Sequence, residues 1–288
     1  MAVKLQTIAD IRKYLSSELA GLYPEGEIWA FTAIITASVL KLSRLTLHGA
    51  ENKFVEPKDA LRIVGICEEL KSEKPIQYIL GETVFLDCVI RVRPGVLIPR
   101  PETEELADLI IRENPGFTGE LLDIGTGSGC IAVAVAVKLP SATVSATDVS
   151  DLALGTASEN AALNNVKINF IKADILKGEP GLPRETDILV SNPPYVRNSE
   201  KEQMRRNVLN YEPHEALFVP DSDPLLFYRA ILAKAISILR DGGRIYFEIN
   251  EALGSGVREL TASFGFSNIL VRKDINGKDR IVKATWNG

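Results

Sequence analysis

Two hydrophobic periods divide the chain near residue 75. Before it, apolar residues return at helical spacing. Ile8, Ile11, Leu15 and Leu19 fall on one face, as do Leu61, Val64 and Leu70 with Ile63 and Cys67. Between them, the interval from Ile28 to Leu42 is almost wholly apolar or small, with Thr and Ser interspersed. A helix apolar all round is a buried one. The interval predicts the central helix of a small bundle; its Thr and Ile content leaves a strand open, and its length favours the helix. Residues 1–74 thus read as a helical domain. From Pro75 to Arg93 the period changes to two, with Val84, Leu86, Val89 and Val92 alternating after Gly81. This predicts a β-hairpin over residues 75–95 that joins two domains.

From residue 96 to 288 strands and helices alternate. Thr103 to Arg112 predicts a helix. Strands follow at 121–124, 143–147, 168–173 and 187–191, with helices at 130–138 and 152–163 between them. Residues 201–210 are polar and predict a mobile flap over the end of the preceding strand. Pro224 to Arg240 predicts a helix stopped by Asp241-Gly242-Gly243. A strand at 244–249, a helix at 257–264 and strands at 268–273 and 280–286 complete the chain. Asn276-Gly277 marks a hairpin between the last two. The alternation predicts a doubly wound α/β sheet, mostly parallel, with an antiparallel hairpin at its end. There is no internal repeat or low-complexity segment.

At 288 residues with 45% apolar content, the chain has material for two domains with cores of their own. No apolar run is long enough to span a bilayer, and the N-terminus lacks the layout of a signal peptide. Cys67, Cys88 and Cys130 are odd in number and widely spaced. That usage suits a reducing cytoplasm, with all three as small buried hydrophobes. No Cys/His cluster has ligand spacing, so no metal is expected. The net charge of −5 argues against a broad nucleic-acid surface, and no direct nucleic-acid partner is expected. Lys201, Arg205 and Arg206 form a local basic patch, read as a solvated face. A monomer is expected.

Candidate chemistry gathers at the predicted strand ends. Asn192-Pro193-Pro194-Tyr195 follows the apolar run 187–191, where ligands bind in open α/β sheets. Prolines lack N–H groups, so nearby backbone carbonyls stay free to accept. Asn192 offers an acceptor oxygen and two donor hydrogens, and Tyr195 offers a flat face. The set suits a planar NH-bearing group such as an amide or an exocyclic amine; the bland alternative is a Pro-rich turn. Upstream, Gly125-Thr126-Gly127-Ser128-Gly129 links a strand to a helix. A dinucleotide fingerprint would place its third glycine or alanine where Cys130 stands. Gly-x-Gly-x-Gly is the commoner pattern in S-adenosylmethionine-dependent methyltransferases. Asp148 closes the next strand, placed for ribose hydroxyls or for capping the following helix with Ser150. Asp174 closes the third, placed for an adenine amino group with Ile175 against the ring. Three successive strands thus end in Asp123-Ile124-Gly125, Asp148 and Asp174, and a fourth in Asn192. Taken singly, each acid is more often a turn or cap residue, but their order at successive strand ends makes coincidence a poor account.

These segments resemble the HemK/PrmC methyltransferases. The resemblance rests on residues 122–132, Ser191 to Tyr195, Pro75 to Gly81, and above all Leu97-Ile98-Pro99-Arg100-Pro101-Glu102-Thr103-Glu104. Tyr211-Glu212-Pro213 with Ala216-Leu217, and residues 274–280, also fit. The match is strong over residues 75–288; earlier residues match mainly in length and helical character. It implies a class I, Rossmann-like S-adenosylmethionine-dependent methyltransferase domain behind a small helical bundle concerned with substrate recognition. It also implies methylation of the side-chain amide nitrogen of the glutamine in the Gly-Gly-Gln motif of class-one peptide chain release factors. Asn192, Pro193 and Tyr195 would then be catalytic, with Pro194 also touching substrate. Gly125, Thr126, Gly127, Ser128, Gly129, Asp148, Asp174, Ile175 and Asn192 would hold the cofactor. Asn192 Oδ1 and the Pro193 carbonyl would accept the two amide hydrogens, and Tyr195 would pack on the amide plane. Neither His48 nor His214 lies in a motif that would make it a base.

Weaker candidates remain. Arg100, Glu102 and Thr103 either cover the cofactor pocket or form a capping box. Glu212 and His214 read as loop anchors, and Glu248 as a cap at the polar exit of its strand. Two other functions stay open. An adenine-amino DNA or RNA methyltransferase would use the same grip, but would need a basic recognition region. A non-catalytic S-adenosylmethionine-binding assembly factor would not need Asn192 to Tyr195 intact.

Overall fold

The computed structural model describes residues 5–42, 49–177 and 181–288. The chain folds as two units: Met1–Gly81 with Arg206–Tyr211, and Glu82–Arg205 with Glu212–Gly288.

In the first unit, α1 (Ile8–Glu18) opens on a capping box. The Thr7 hydroxyl accepts from the Asp10 amide, and the Asp10 carboxylate accepts from the Thr7 amide. α2 (Glu25–Leu40) is the all-apolar helix. It stops short of the predicted Leu42 because Lys41 turns left-handed at φ 54°. α3 (Pro57–Lys71) starts on a proline, whose missing N–H is no loss in a first turn. Ile11 and Leu15 of α1, Ile35 of α2 and Ile63 and Leu70 of α3 form one buried core. A short α4 (Ile76–Leu80) ends at Gly81, φ 79°. Residues 76–80 are therefore helical, and the predicted hairpin starts later.

The second unit opens with that hairpin, β1 (Glu82–Phe85) and β2 (Cys88–Arg91), turned through Leu86 and Asp87, both at positive φ. It is not a free linker. Asn160 Oδ1 accepts from the Arg91 amide at 2.8 Å, and Asn160 Nδ2 donates to the Arg91 carbonyl at 3.0 Å. The unit continues as α5 (Pro101–Glu113), β3 (Glu120–Ile124), α6 (Cys130–Lys138), β4 (Thr143–Asp148), α7 (Asp151–Leu163), β5 (Asn169–Lys172) and β6 (Thr186–Ser191). A two-residue β7 (Val196–Arg197) pairs with β8 (Phe218–Val219), and α8 (Arg206–Tyr211) lies between them in sequence. Then come α9 (Leu226–Ile238), β9 (Leu239–Glu248), α10 (Gly254–Ser263), β10 (Ser267–Lys273) and β11 (Asp279–Thr285).

Among the described residues the central sheet has seven strands, ordered β10-β11-β9-β6-β3-β4-β5. β3, β4, β5, β6 and β9 pair in parallel, while β11 runs against both β9 and β10. The chain steps from β3 outward to β4 and β5, then returns to β6 on the other side of β3. That reversal opens a crevice at the carboxyl ends of β3 and β6, where such sheets bind ligands. Leu122, Leu189, Ile231, Leu232 and Phe247 form the core on one face of this switch.

Two expectations fail here. The helix read as running to Arg240 gives way at Leu239 to β9, which passes through Asp241-Gly242-Gly243. The Gly242 amide donates to the Trp286 carbonyl at 2.8 Å, and the Trp286 amide donates to that of Gly243 at 2.7 Å. Pairing with the C-terminal segment thus overrides a local stop signal. The polar stretch 201–210 is not a flap over the strand ends. Its last residues form α8, and Tyr211 donates to the Ser72 carbonyl at 2.8 Å within the helical unit.

Candidate active site

β3 delivers Gly125 to the crevice. The amides of Gly125 and Thr126 both donate to the Thr147 carbonyl at 2.9 Å, which folds the chain back over β4. Gly125 takes φ 75°, and a side chain added at Gly125 or Gly127 would project into open space. Gly129 has a different reason. A Cβ there would lie 2.8 Å from that of Ala157, so its absence lets α7 press against the start of α6. Asn160 of α7 also donates to the Ser128 carbonyl at 2.8 Å. One buried amide therefore holds both the hairpin and the glycine turn.

Acidic groups line the turn in distinct states. Asp148 Oδ2 accepts from the Gly127 amide and Oδ1 from the Ser150 amide, each at 2.9 Å. Each oxygen keeps a further lone pair. Burial raises the Asp148 pKa, against the pull of those amides. The Ser150 hydroxyl caps α7, so capping and a free carboxylate edge coexist. Asp123 lies beneath the turn. Its Oδ2 accepts from the Thr126 hydroxyl at 2.7 Å, and its Oδ1 has no hydrogen-bond partner of good geometry among the described residues. Burial pushes its pKa to about 7. Asp174 instead has a lowered pKa, chiefly through its ion pair with Lys177 at 3.1 Å.

β6 carries the other wall. The Ser191 hydroxyl donates to the Ile124 carbonyl at 2.6 Å and ties the two strand ends together. Asn192 Nδ2 donates to Thr103 Oγ1 at 3.0 Å. Thr103 in turn donates to Glu248 Oε2 at 2.7 Å, and the Tyr195 hydroxyl donates to Glu248 Oε1 at 2.9 Å. Glu248 is fully buried, not a cap at a polar exit as expected. Burial raises its pKa, opposed by the bonds from Thr103 and Tyr195 and by the Arg280 charge.

These parts enclose one cavity of about 330 Å³, within the usual range for small-molecule sites. Gly125, Thr126, Gly127, Ser128, Asp148, Asp174, Ile175, Asn192, Pro193 and Pro194 all line it. Gly129 and Tyr195 do not. Gly129 serves helix packing, and Tyr195 packs partly against the core with its hydroxyl on Glu248. Further lining comes from residues 95–99, from Thr103, from Pro213, Glu215 and Ala216, and from Phe227 and Ile231 of α9, among others. Glu212 anchors the first of these: it accepts from the Ile98 amide at 3.1 Å and pairs with Arg100 at 2.5 Å. Arg100 forms no capping box, while Thr103 reaches the cavity. Sequence reasoning missed Asn160 and the Thr103–Glu248 link. A polar residue on the alanine-rich inner face of α7 was the available signal for the first.

The lining fits a nucleoside-bearing sulfonium. Open backbone at Gly125 and Gly127 admits a close approach, Asp148 keeps free acceptor capacity, and Ile175 with Leu176 adds apolar wall. Among the described residues no group of His, Cys, Asp and Glu is arranged to hold a metal, and no helix is long and apolar enough to cross a membrane.

Residues 103–214 match the methyltransferase small domain family. A solved 16S rRNA methyltransferase from T. thermophilus, RsmC, in complex with AdoMet and guanosine, shares the fold at a TM-score of 0.52 and 17% identity, over 71% of this chain and 49% of that one. Fold and site together define a class I S-adenosylmethionine-dependent methyltransferase. The Flavobacterium psychrophilum release factor glutamine methyltransferase is 47% identical over 97% of this chain and 99% of its own length. Its Bacteroides thetaiotaomicron counterpart is 42% identical over 95% and 98%. The chain belongs to the release factor glutamine methyltransferase family.

Proposed function

We propose that this protein transfers a methyl group from S-adenosylmethionine to the side-chain amide nitrogen of the glutamine in the Gly-Gly-Gln motif of class-one peptide chain release factors. One observation carries the reading: the carboxamide of Asn192 lines the same cavity as the glycine turn, with its nitrogen bonded away to Thr103. Oδ1 is then the edge left for a substrate.

An amide nitrogen is a weak nucleophile because its lone pair is shared with the carbonyl. The bound cofactor supplies a methyl group already activated on a sulfonium. Asn192 Oδ1 and the Pro193 carbonyl accept the two N–H groups of the glutamine, hold the nitrogen toward the methyl carbon and draw electron density onto it. Orientation of this kind is worth up to roughly 7–11 kcal/mol in well-aligned systems. The N–C bond forms as the methyl–sulfur bond breaks, and the electron pair of that bond goes to sulfur, so that S-adenosyl-L-homocysteine leaves as product. The nitrogen becomes acidic as it is alkylated, and its proton leaves by one of these acceptors to water. Asp148 takes the ribose hydroxyls; Asp174 and Ile175 take the adenine. Pro194 shapes the acceptor entrance. Tyr195 acts from behind, through Glu248. The helical unit receives the release factor. The reaction belongs in the cytoplasm, a setting that suits three buried free cysteines. Neither a metal nor nucleic acid takes part, and one chain suffices.

The grip would also accept an exocyclic adenine amine, so the test offers labelled S-adenosylmethionine with release factor, DNA and RNA in parallel. Label on the release-factor glutamine is expected, and Asn192→Ala should abolish it while cofactor binding persists. Label in nucleic acid alone would overturn the reading.

A further inference from the structure

We propose that Thr103 and Glu248 are positioning residues that lock the polarity of Asn192, so that the acceptor site offers an oxygen and never an amino group. The proposal rests on the reading of Asn192 as the group that accepts the substrate's hydrogens.

A carboxamide turned by half a rotation has nearly the same shape, so packing alone does not choose between its two faces. Hydrogen count does. Thr103 Oγ1 carries one hydrogen, and Glu248 Oε2 lies 2.7 Å from it. An ionised carboxylate only accepts, so the Thr103 hydrogen is committed to it. Thr103 can then only accept from Asn192, 3.0 Å away, and the nitrogen must be the atom that faces it. Asn192 Oδ1, with no hydrogen bond to the described residues, is left at the cavity wall. Tyr195 fills the second oxygen of Glu248 at 2.9 Å. Glu248 is fully buried and Thr103 nearly so, with Thr103 meeting the cavity only at its lining, so few other partners compete for either group. The reversed amide would set Oδ1 against a hydroxyl with no hydrogen to give, which costs as a buried unmade bond.

The lock depends on the charge of Glu248. A protonated Glu248 donates to Thr103, frees the Thr103 hydrogen for Asn192, and turns the amino group toward the cavity. Burial favours that protonated form, and Glu102 of α5 adds to it. Arg280 of β11, which donates to Asp274 at 3.1 Å, opposes it. Tyr195 is a donor here, Tyr228 of α9 donates only to the Glu248 backbone carbonyl, and Cys130 of α6 is held as a thiol by burial. Activity therefore falls as pH drops through the folded pKa of Glu248.

Three variants test this in the full chain: Thr103→Val, Thr103→Ser and Glu248→Gln, with Asn192→Ala in parallel. Methyl transfer to release factor is followed with cofactor affinity by calorimetry and with circular dichroism. Thr103→Val should lower kcat by about 5- to 150-fold, the size of one orphaned buried polar group, with cofactor affinity and KM for release factor retained. Thr103→Ser should restore it. Glu248→Gln should lower kcat and remove the acid limb of its pH profile. Normal kcat in Thr103→Val or Glu248→Gln beside a dead Asn192→Ala overturns the lock alone, as does a Thr103→Ser as impaired as Thr103→Val. An active Asn192→Ala overturns the reading beneath it. A Thr103→Val that loses fold and cofactor with its activity leaves the decision to Glu248→Gln, where an unchanged acid limb overturns the lock.

Discussion

At the scale of single residues, Asp123 has its Oδ1 buried with no hydrogen-bond partner of good geometry among the described residues, and burial pushes its pKa from an ordinary 3.8 to about 7. Between those values the folded state holds a proton that the unfolded state has lost. The stability this gives is full below pH 3.8 and is gone once pH has risen through 7. Asp123→Asn keeps the shape without the charge. Its unfolding free energy by denaturant titration, relative to the unchanged protein, should rise steadily from pH 4 to 7, by an amount on the order of a few kcal/mol. A constant difference across that window would show that Asp123 does not titrate there. Asp123 was legible as an acid at a strand end, but its burial was not. Asp148, read from the same strand-end pattern, lines the cavity itself. Asp148→Asn should weaken S-adenosylmethionine binding roughly tenfold or more in calorimetry, the usual loss when a charge-assisted hydrogen bond goes. Unchanged affinity would remove it from the ribose site. Thr103 and Glu248 stand 145 positions apart; no local pattern marks such a pair, and Glu248 read only as the end of a strand.

At the scale of elements, period and turn chemistry located most of the structure. The amphipathic stripes of α1 and α3 and the apolar cylinder of α2 follow from spacing alone, and so do the strands that end at Ile124, Asp148 and Ser191. The failures have different origins, a distant partner in one case and a short local helix in the other. Asp241-Gly242-Gly243 reads as a helix stop until Trp286 pairs across it. Residues 76–80 read as hairpin from the valines beyond them, though they form α4. Gly129 shows how the sequence encodes a contact between elements. At φ 78° with Ala157 2.8 Å from its missing Cβ, it permits the α6–α7 approach that seats the glycine turn. Gly129→Ala should lower stability by about 1–3 kcal/mol from overpacking, plus roughly 1–2 kcal/mol for the left-handed backbone. Adding Ala157→Gly should recover the first part and not the second. Denaturant unfolding of the two single variants and the double gives the coupling. Strict additivity would mean that the two positions do not press on each other.

At the scale of the molecule, the helical unit is not a simple N-terminal segment. It takes in α8 from beyond the middle of the chain, and the second unit is thereby interrupted between Arg205 and Glu212. The sequence concealed this. Residues 201–210 read as one polar stretch, but only 206–211 join the helical unit, where Tyr211 donates to the Ser72 carbonyl 139 positions away. The consequence is physical. A six-residue helix does not persist in water by itself, so α8 owes its structure to the bundle. A chain beginning at Glu82 keeps every residue that lines the cavity but leaves residues 206–211 without their partners. Hydrogen exchange on that shortened chain should show amides of 206–211 exchanging like an unfolded peptide, while those of β9 stay protected. In the full chain, Tyr211→Phe should speed exchange at 206–211 by roughly fivefold, as expected for loss of one hydrogen bond of about 1 kcal/mol. Protection of 206–211 that survives removal of residues 1–81 would assign α8 to the catalytic unit and return the helical unit to a continuous segment.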